Sequence, residues 1–165
     1  SDLRTLITKV KSVKPDVLFF PVYPKNAVSG LKQIKDLKLN VTIVSGDGFD
    51  GKEVTEADGA EGVLYTVAKL GLPEDFQKKV EEVSGKGTNI FTPFAYDGVK
   101  IFAEVISKVG TDKQAIKDEL SKLSYKSGIS LPVVEFDKDR DLKSAEFEIK
   151  IIKNGKGVPF ELKSE

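Results

Sequence analysis

Two short apolar runs, Asp16-Val17-Leu18-Phe19-Phe20-Pro21-Val22 and Val41-Thr42-Ile43-Val44, stand on either side of an amphipathic stretch from Asn26 to Leu39. A strand, a helix and a second strand in that order place the strands parallel, because the helix carries the chain back before the second strand begins. Leu3, Leu6, Ile7, Val10 and Val13 recur at helical spacing ahead of the first run, with Ser1 or Asp2 as cap. The first run is continuously apolar, as a buried strand is, and Pro21 marks its end. Ala27, Leu31 and Ile34 give the return helix its inward face, a short helix follows through Val54 and Ala57, and Gly62 to Val67 forms a third strand. This alternation predicts an α/β fold with a parallel, doubly wound sheet.

After Gly71 the pattern changes. Pro73 to Val83, Pro93 to Val109 and Asp112 to Leu123 read as helices with no strand between them, with Gly110 just past one helix end and Asp112 capping the next. The middle helix is strongly apolar through Phe94, Val99, Phe102, Val105 and Ile106, so it needs a sheet that this stretch does not supply. Strands return at Val133 to Phe136, at Ala145 to Ile152 with Phe147, Ile149 and Ile151 on one face, and at Val158 to Leu162 after an Asn154-Gly155 turn.

Composition excludes several kinds of chemistry. Lys plus Arg and Asp plus Glu both number 26 and are interspersed, so no basic stripe exists to neutralise a nucleic-acid backbone. The chain has no Cys and no His, which removes Cys/His and Ser/His/Asp catalysis, disulfides and the usual zinc sites. No metal and no cofactor are expected, and any catalysis would rest on carboxylates, Lys or Tyr. A length of 165 residues is enough to bury a sizeable core, roughly 70% of the unfolded surface. No apolar stretch approaches the roughly 18 residues that span a bilayer, and no signal-peptide pattern opens the chain. Met is also absent, so Ser1 is not expected to be the native start.

Each of the first two strands ends in a loop with a side chain suited to a ligand, Tyr23 in one and Asp47 in the other. In open parallel sheets ligands sit beyond the carboxyl ends of the strands. A carboxylate beside glycines, as in Gly46-Asp47-Gly48-Phe49-Asp50, approaches a cation closely, and a charged hydrogen bond contributes roughly 1.5–3 kcal/mol. The competing reading is that Asp47 caps the short helix or closes a turn. An aromatic face such as Tyr23 attracts an ammonium within about 6 Å of its centre, and its alternative is a core or rim aromatic beside a proline turn. Phe49 either walls an apolar pocket or belongs to the core. Gly46 to Glu53 falls short of a phosphate-binding loop, because Glu53 replaces the Ser/Thr and two aspartates repel phosphate. Asp137, Asp139, Asp141 and Glu148 have calcium-loop spacing, but Leu142 stands where glycine is needed and strands flank the turn.

The succession of Asp2-Leu3-Arg4, Lys14-Pro15-Asp16-Val17, Tyr23, Gly46-Asp47-Gly48-Phe49-Asp50, Ala60-Glu61-Gly62-Val63, Tyr96-Asp97-Gly98-Val99 and Phe136-Asp137 through Asp141 resembles the branched-chain amino-acid substrate-binding proteins of ABC importers. These are type I periplasmic binding proteins of the leucine/isoleucine/valine-binding family, and the chain is similar to their C-terminal half only. The resemblance implies that residues 1–70 belong to the second lobe with a ligand half-site, that 71–143 are helices packing on the first lobe and a crossover, and that 144–165 return to the second lobe. It implies that Asp47 accepts hydrogen bonds from a ligand's α-ammonium and that Tyr23 touches the bound amino acid. The remaining contacts would come from the half not present.

The function so implied is extracytoplasmic capture of an aliphatic amino acid between two lobes, with closure at hinges near residues 66–72 and 141–145, for delivery to the membrane subunits of an ABC permease. No bond chemistry is expected. The location would be the periplasm or the outer face of a bacterial membrane, with or without a lipid anchor, the signal segment lying outside this chain. A missing N-terminal half or a swapped second chain would cover the exposed helices. Alternatives are a ligand-sensing receptor domain on the same fold and an enzyme using Asp47 with Lys or Tyr.

Overall fold

The computed structural model describes residues 2–161. The elements run α1 (Arg4–Val13), β1 (Val17–Phe19), α2 (Pro24–Asp36), β2 (Thr42–Ser45), α3 (Lys52–Thr55), β3 (Leu64–Ala68), α4 (Glu74–Ser84), α5 (Phe91–Val109), α6 (Lys113–Leu120), β4 (Phe147–Lys153) and β5 (Lys156–Pro159). A 3-10 turn, Asp47–Phe49, precedes α3. The chain divides into two compact units, Ser1–Ala68 with Phe147–Glu165, and Lys69–Glu146.

The first unit holds one five-stranded sheet in the order β1-β2-β3-β4-β5. β1, β2 and β3 are parallel, as their intervening helices require, whereas β4 pairs antiparallel with both β3 and β5. The sheet is therefore mixed rather than wholly parallel. The reason is local: Asn154 at φ 51° and Gly155 at φ 74° form a tight hairpin, and a hairpin leaves its strands antiparallel. Parallel strands in sequential order with right-handed crossovers place α2 and α3 on one face. That face buries Ile43, Ser45, Tyr65, Val67 and Ile152 against Ala27, Leu31, Ile34, Phe49 and Val54.

The opposite face changes the reading of β1. The strand is three residues long and its residues alternate, with Leu18 half-buried and Val17 and Phe19 exposed, Phe19 at 67%. It is not the fully buried strand that its apolar run predicts. Phe19 lies in register with Val44, Leu64, Ile151 and Val158, so an apolar row crosses the second face, and exposed Phe147, opposite Ala68, lies on that same face. Helix α1 likewise buries only Ile7 while Leu6 and Val13 stand exposed, because it touches α2 along a narrow seam. Its cap position is Leu3, and the Asp2 carboxylate instead accepts from the Arg4 amide at 3.0 Å. Ser1 and Leu162, the other proposed cap and the predicted end of the last strand, lie outside the described residues.

In the second unit Ile101, Val105, Tyr125, Leu131 and Val134 form the core, with Ile116, Leu120 and Phe136 packed against it. Val133 to Phe136 does not form a strand; Val134 makes one bridge with Tyr125 and Phe136 one with Leu142. No neighbouring strand runs alongside for longer than one residue, so the run folds into the helical core instead. Asp97 is the internal fastener of this unit. Its carboxylate, 2% exposed, accepts from the Ile129 amide at 2.9 Å, the Ser130 amide at 2.7 Å and the Ser130 hydroxyl at 2.5 Å. The Asp112 side chain caps α6 by accepting from the Ala115 amide, as its position predicts. Along α5, Tyr96, Val99, Phe102 and Ile106 remain exposed.

Candidate functional site

β1 and β2 are adjacent and parallel, so the loops that leave their carboxyl ends lie side by side. Phe20 extends the pairing by one residue, its amide donating to the Val44 carbonyl at 2.8 Å, and the buried Ser45 hydroxyl donates to the Phe20 carbonyl at 2.8 Å. Beyond this point Val22 and Gly48 touch. A Cβ built on Gly48 would lie 2.8 Å from the Val22 carbonyl oxygen, so glycine is what allows the two loops to close. Tyr23 follows Val22 and Asp47 precedes Gly48, and the contact brings these two residues' loops together.

Tyr23 is the N-cap residue of α2, followed by Pro24, whose fixed φ suits the first helical position. Its carbonyl accepts from the Asn26 and Ala27 amides while its side chain projects outward, 82% exposed. The core-aromatic reading of Tyr23 does not hold.

Asp47 opens the 3-10 turn and is exposed. Its backbone carbonyl accepts from the Asp50 amide at 3.1 Å, but its side chain caps neither that turn nor α3, whose N-cap is Gly51. No described residue engages the Asp47 carboxylate. A charged acceptor beside glycines, free of local bonds, is available to an incoming cation.

Phe49 is placed otherwise than a pocket wall would be. It is 0% exposed and meets Phe20 edge to face, with ring centroids 6.3 Å apart. Burying such a ring contributes roughly 1.5–3 kcal/mol, and here it nails the Asp47 turn to the core. It offers no surface to a ligand in this structure.

Asp50, at the end of the turn, is held from a third side. The Tyr65 hydroxyl donates to Asp50 Oδ1 at 2.9 Å and the Lys150 Nζ donates to the same oxygen at 3.2 Å. Lys150 also pairs with Glu148 at 3.5 Å. Tyr65 and Lys150 stand opposite each other on β3 and β4. Burial, and then the Asp50 and Glu148 charges, push the Tyr65 phenol above its ordinary range, so it remains a neutral donor. Gly157 on β5 leaves room for it: a Cβ there would lie 1.8 Å from the Tyr65 hydroxyl oxygen. Sequence reasoning missed Asp50, Tyr65 and Lys150. The available signal was the pair of polar groups, Glu148 and Lys150, interrupting an apolar strand at period two.

The Asp137 turn closes on itself. The Asp137 carboxylate accepts from the Asp139 and Asp141 amides, while Glu148 sits on β4 beside Lys150. Among the described residues no cluster of acidic side chains is arranged to hold a metal ion, and no helix is long and apolar enough to cross a membrane.

A family model described as periplasmic binding protein matches residues 1–152. The Leu/Ile/Val-binding protein BraC3 of Rhizobium johnstonii is 29% identical over 97% of this chain and 45% of its own length. The chain spans about half the length of the curated relatives it matches, between 41% and 45%. Among solved structures, a leucine binding protein LivK from Thermotoga maritima aligns with a TM-score of 0.76 at 23% identity, over 97% of this chain and 48% of that one. A solute binding protein from R. palustris, solved in complex with benzoate, aligns at 0.75 and 17% identity over 96% of this chain and 46% of that one. These two structural likenesses concern the fold.

Proposed function

The chain belongs to the periplasmic binding protein family, and on that premise we propose that it carries one half of the ligand site of an importer's solute-binding protein for an aliphatic, branched-chain amino acid. Asp47 accepts the ligand's α-ammonium, Tyr23 lies against the bound molecule, and Phe49 fixes the turn between them from inside the core. The other half of the site comes from an N-terminal portion of the same protein or from a second copy. The protein works outside the cytoplasmic membrane, hands its ligand to the membrane subunits of an ABC permease, and breaks no bond.

The observation that carries the reading is the Asp47 carboxylate, exposed at the carboxyl end of β2 and engaged by no described residue. It favours an amine. A relative of the same fold was solved with benzoate, which has no ammonium, so the fold alone does not choose the ligand. The names of curated relatives, which print leucine, isoleucine and valine and in one case also threonine and alanine, support a neutral amino acid with an aliphatic side chain. The sheet face that exposes Val17, Phe19 and Phe147, and the exposed α5 residues Val99 and Phe102, support a further covering segment.

The test has two steps. Intact mass of the protein from its source comes first; a mass near 18.1 kDa with no partner would remove the second half and with it the capture mechanism. Calorimetric titration of the whole protein with leucine, isoleucine, valine and benzoate follows. Binding of the amino acids and not of benzoate, lost in Asp47→Ala, supports the reading. Equal binding by wild type and Asp47→Ala sinks it.

A further inference from the structure

We propose that Asp50, Tyr65 and Lys150 form a positioning clamp that holds the Asp47 turn in its ligand-accepting geometry. The inference rests on the reading of Asp47 as the ligand's partner, but its geometry stands independently.

The turn is short and its own bonds are few. Within it the Phe49 amide donates to the Gly46 carbonyl and the Asp50 amide to the Asp47 carbonyl, both at 3.1 Å. Two such bonds do not hold a four-residue segment rigid in water, since a single 3-10 turn has poor hydrogen-bond geometry. Rigidity has to come from outside. Phe49 supplies one anchor and the Gly48–Val22 contact another, both on the side of β1. The turn also packs against β3, and among the described residues it is Asp50 that adds side-chain hydrogen bonds toward β3 and β4, through Tyr65 at 2.9 Å and Lys150 at 3.2 Å.

The clamp's members are matched to the task. Asp50 and Lys150 are 23% and 21% exposed, so their attraction is less screened than that of the open surface pairs. Tyr65 is buried and cannot swing away, because β5 closes over its hydroxyl at Gly157. Lys150 is held in turn by Glu148. Asp50 is thus drawn toward a fixed phenol and a steered ammonium, and Asp47, three residues earlier, is not paired with that ammonium.

Amide hydrogen exchange at Phe49 and Asp50 tests this directly on the whole protein. Tyr65→Phe and Lys150→Met each remove one hydrogen bond to the Asp50 carboxylate and Asp50→Asn weakens both, and each of the three is expected to speed exchange at these two amides by about ten- to a hundredfold. Ile152, whose amide donates to Val63 within the sheet, should keep its protection. Lys150→Arg, which keeps the charge, should restore wild-type exchange in the turn. Leucine affinity measured in parallel should fall in each of these three variants and be kept in Lys150→Arg. Unchanged exchange at Phe49 and Asp50, or an equal loss of protection at Ile152, overturns the clamp. If Asp47→Ala leaves affinity unchanged while the exchange pattern holds, the ligand reading fails and the clamp survives as a loop anchor.

Discussion

Two of the chain's four Asp-Gly dipeptides meet opposite fates. Asp47-Gly48 opens an exposed turn beyond β2, where no described residue takes the carboxylate; Asp97-Gly98 sits inside α5, where the carboxylate is buried and receives two amides and a hydroxyl. The glycines differ as well. Gly48 presses on the Val22 carbonyl, whereas a Cβ at Gly98 would meet nothing within 4 Å. An aspartate contributes differently in each setting: one whose acceptor capacity is filled by its own chain holds a fold together, and one left unfilled at a strand end is available to a ligand.

The largest effect on the contrast between the two aspartates is expected from Asp97→Ala. It leaves the buried Ser130 amide and hydroxyl and the half-buried Ile129 amide without their acceptor and should destabilise the second unit by about 3 kcal/mol, from two or more orphaned groups. Urea unfolding followed by exchange at Ile129 and Ser130 measures it, and a loss below about 1 kcal/mol would mean that the buried aspartate is dispensable. Asp47→Ala should do the reverse: affinity for leucine falls by about ten- to a hundredfold while the melting temperature stays put. A drop in stability equal to that of Asp97→Ala would erase the contrast. Gly48→Ala comes next, at about 1–2 kcal/mol of strain where its Cβ meets the Val22 carbonyl, read as weaker binding and faster exchange at Phe49.

Smaller effects refine the picture. Tyr65 has its pKa raised above the ordinary 10.0 by burial and by Asp50 and Glu148, so folding favours the neutral phenol. Its contribution is present in full below pH 10 and is lost as pH rises beyond it. The stability gap between wild type and Tyr65→Phe, about 1 kcal/mol at pH 8, should therefore close in thermal melts taken above that point; a gap independent of pH would mean the phenol is not held by those charges. Gly98→Ala, with open space at its Cβ and a helical backbone, should stabilise α5 by about 0.5–1 kcal/mol, the opposite sign to Gly48→Ala.

How far the sequence discloses this molecule depends on the range of the forces involved. The helix-strand order from α1 to β3, the Asp112 cap and the Asn154-Gly155 hairpin are local matters, and each is visible in a few neighbouring residues. The second face of the sheet is not local: the apolar run at β1 reads as buried on both sides, and only the strand order reveals that Val17 and Phe19 face away from α2. Val133 to Phe136 has strand composition but lacks a partner strand, which no single run can announce. At the candidate site, Tyr23 and Asp47 are legible because strand ends before helices are recognisable positions. Phe49 carries both readings in its sequence, and packing against Phe20 decides. Asp50 meets Lys150 across 100 residues of chain, a distance at which pattern is silent.

Gly157 turns the Tyr65 clamp into a constraint on heredity. Any side chain at this position must displace the phenol oxygen, now 1.8 Å from where its first carbon would stand. In a library of variants selected for amino-acid uptake, position 157 should tolerate glycine almost alone, although it lies in a hairpin at the far end of the sheet order and in none of the segments that would meet a ligand. A lineage that drifts away from glycine there would have to abandon tyrosine at 65 in the same step, so the two positions should change together or not at all.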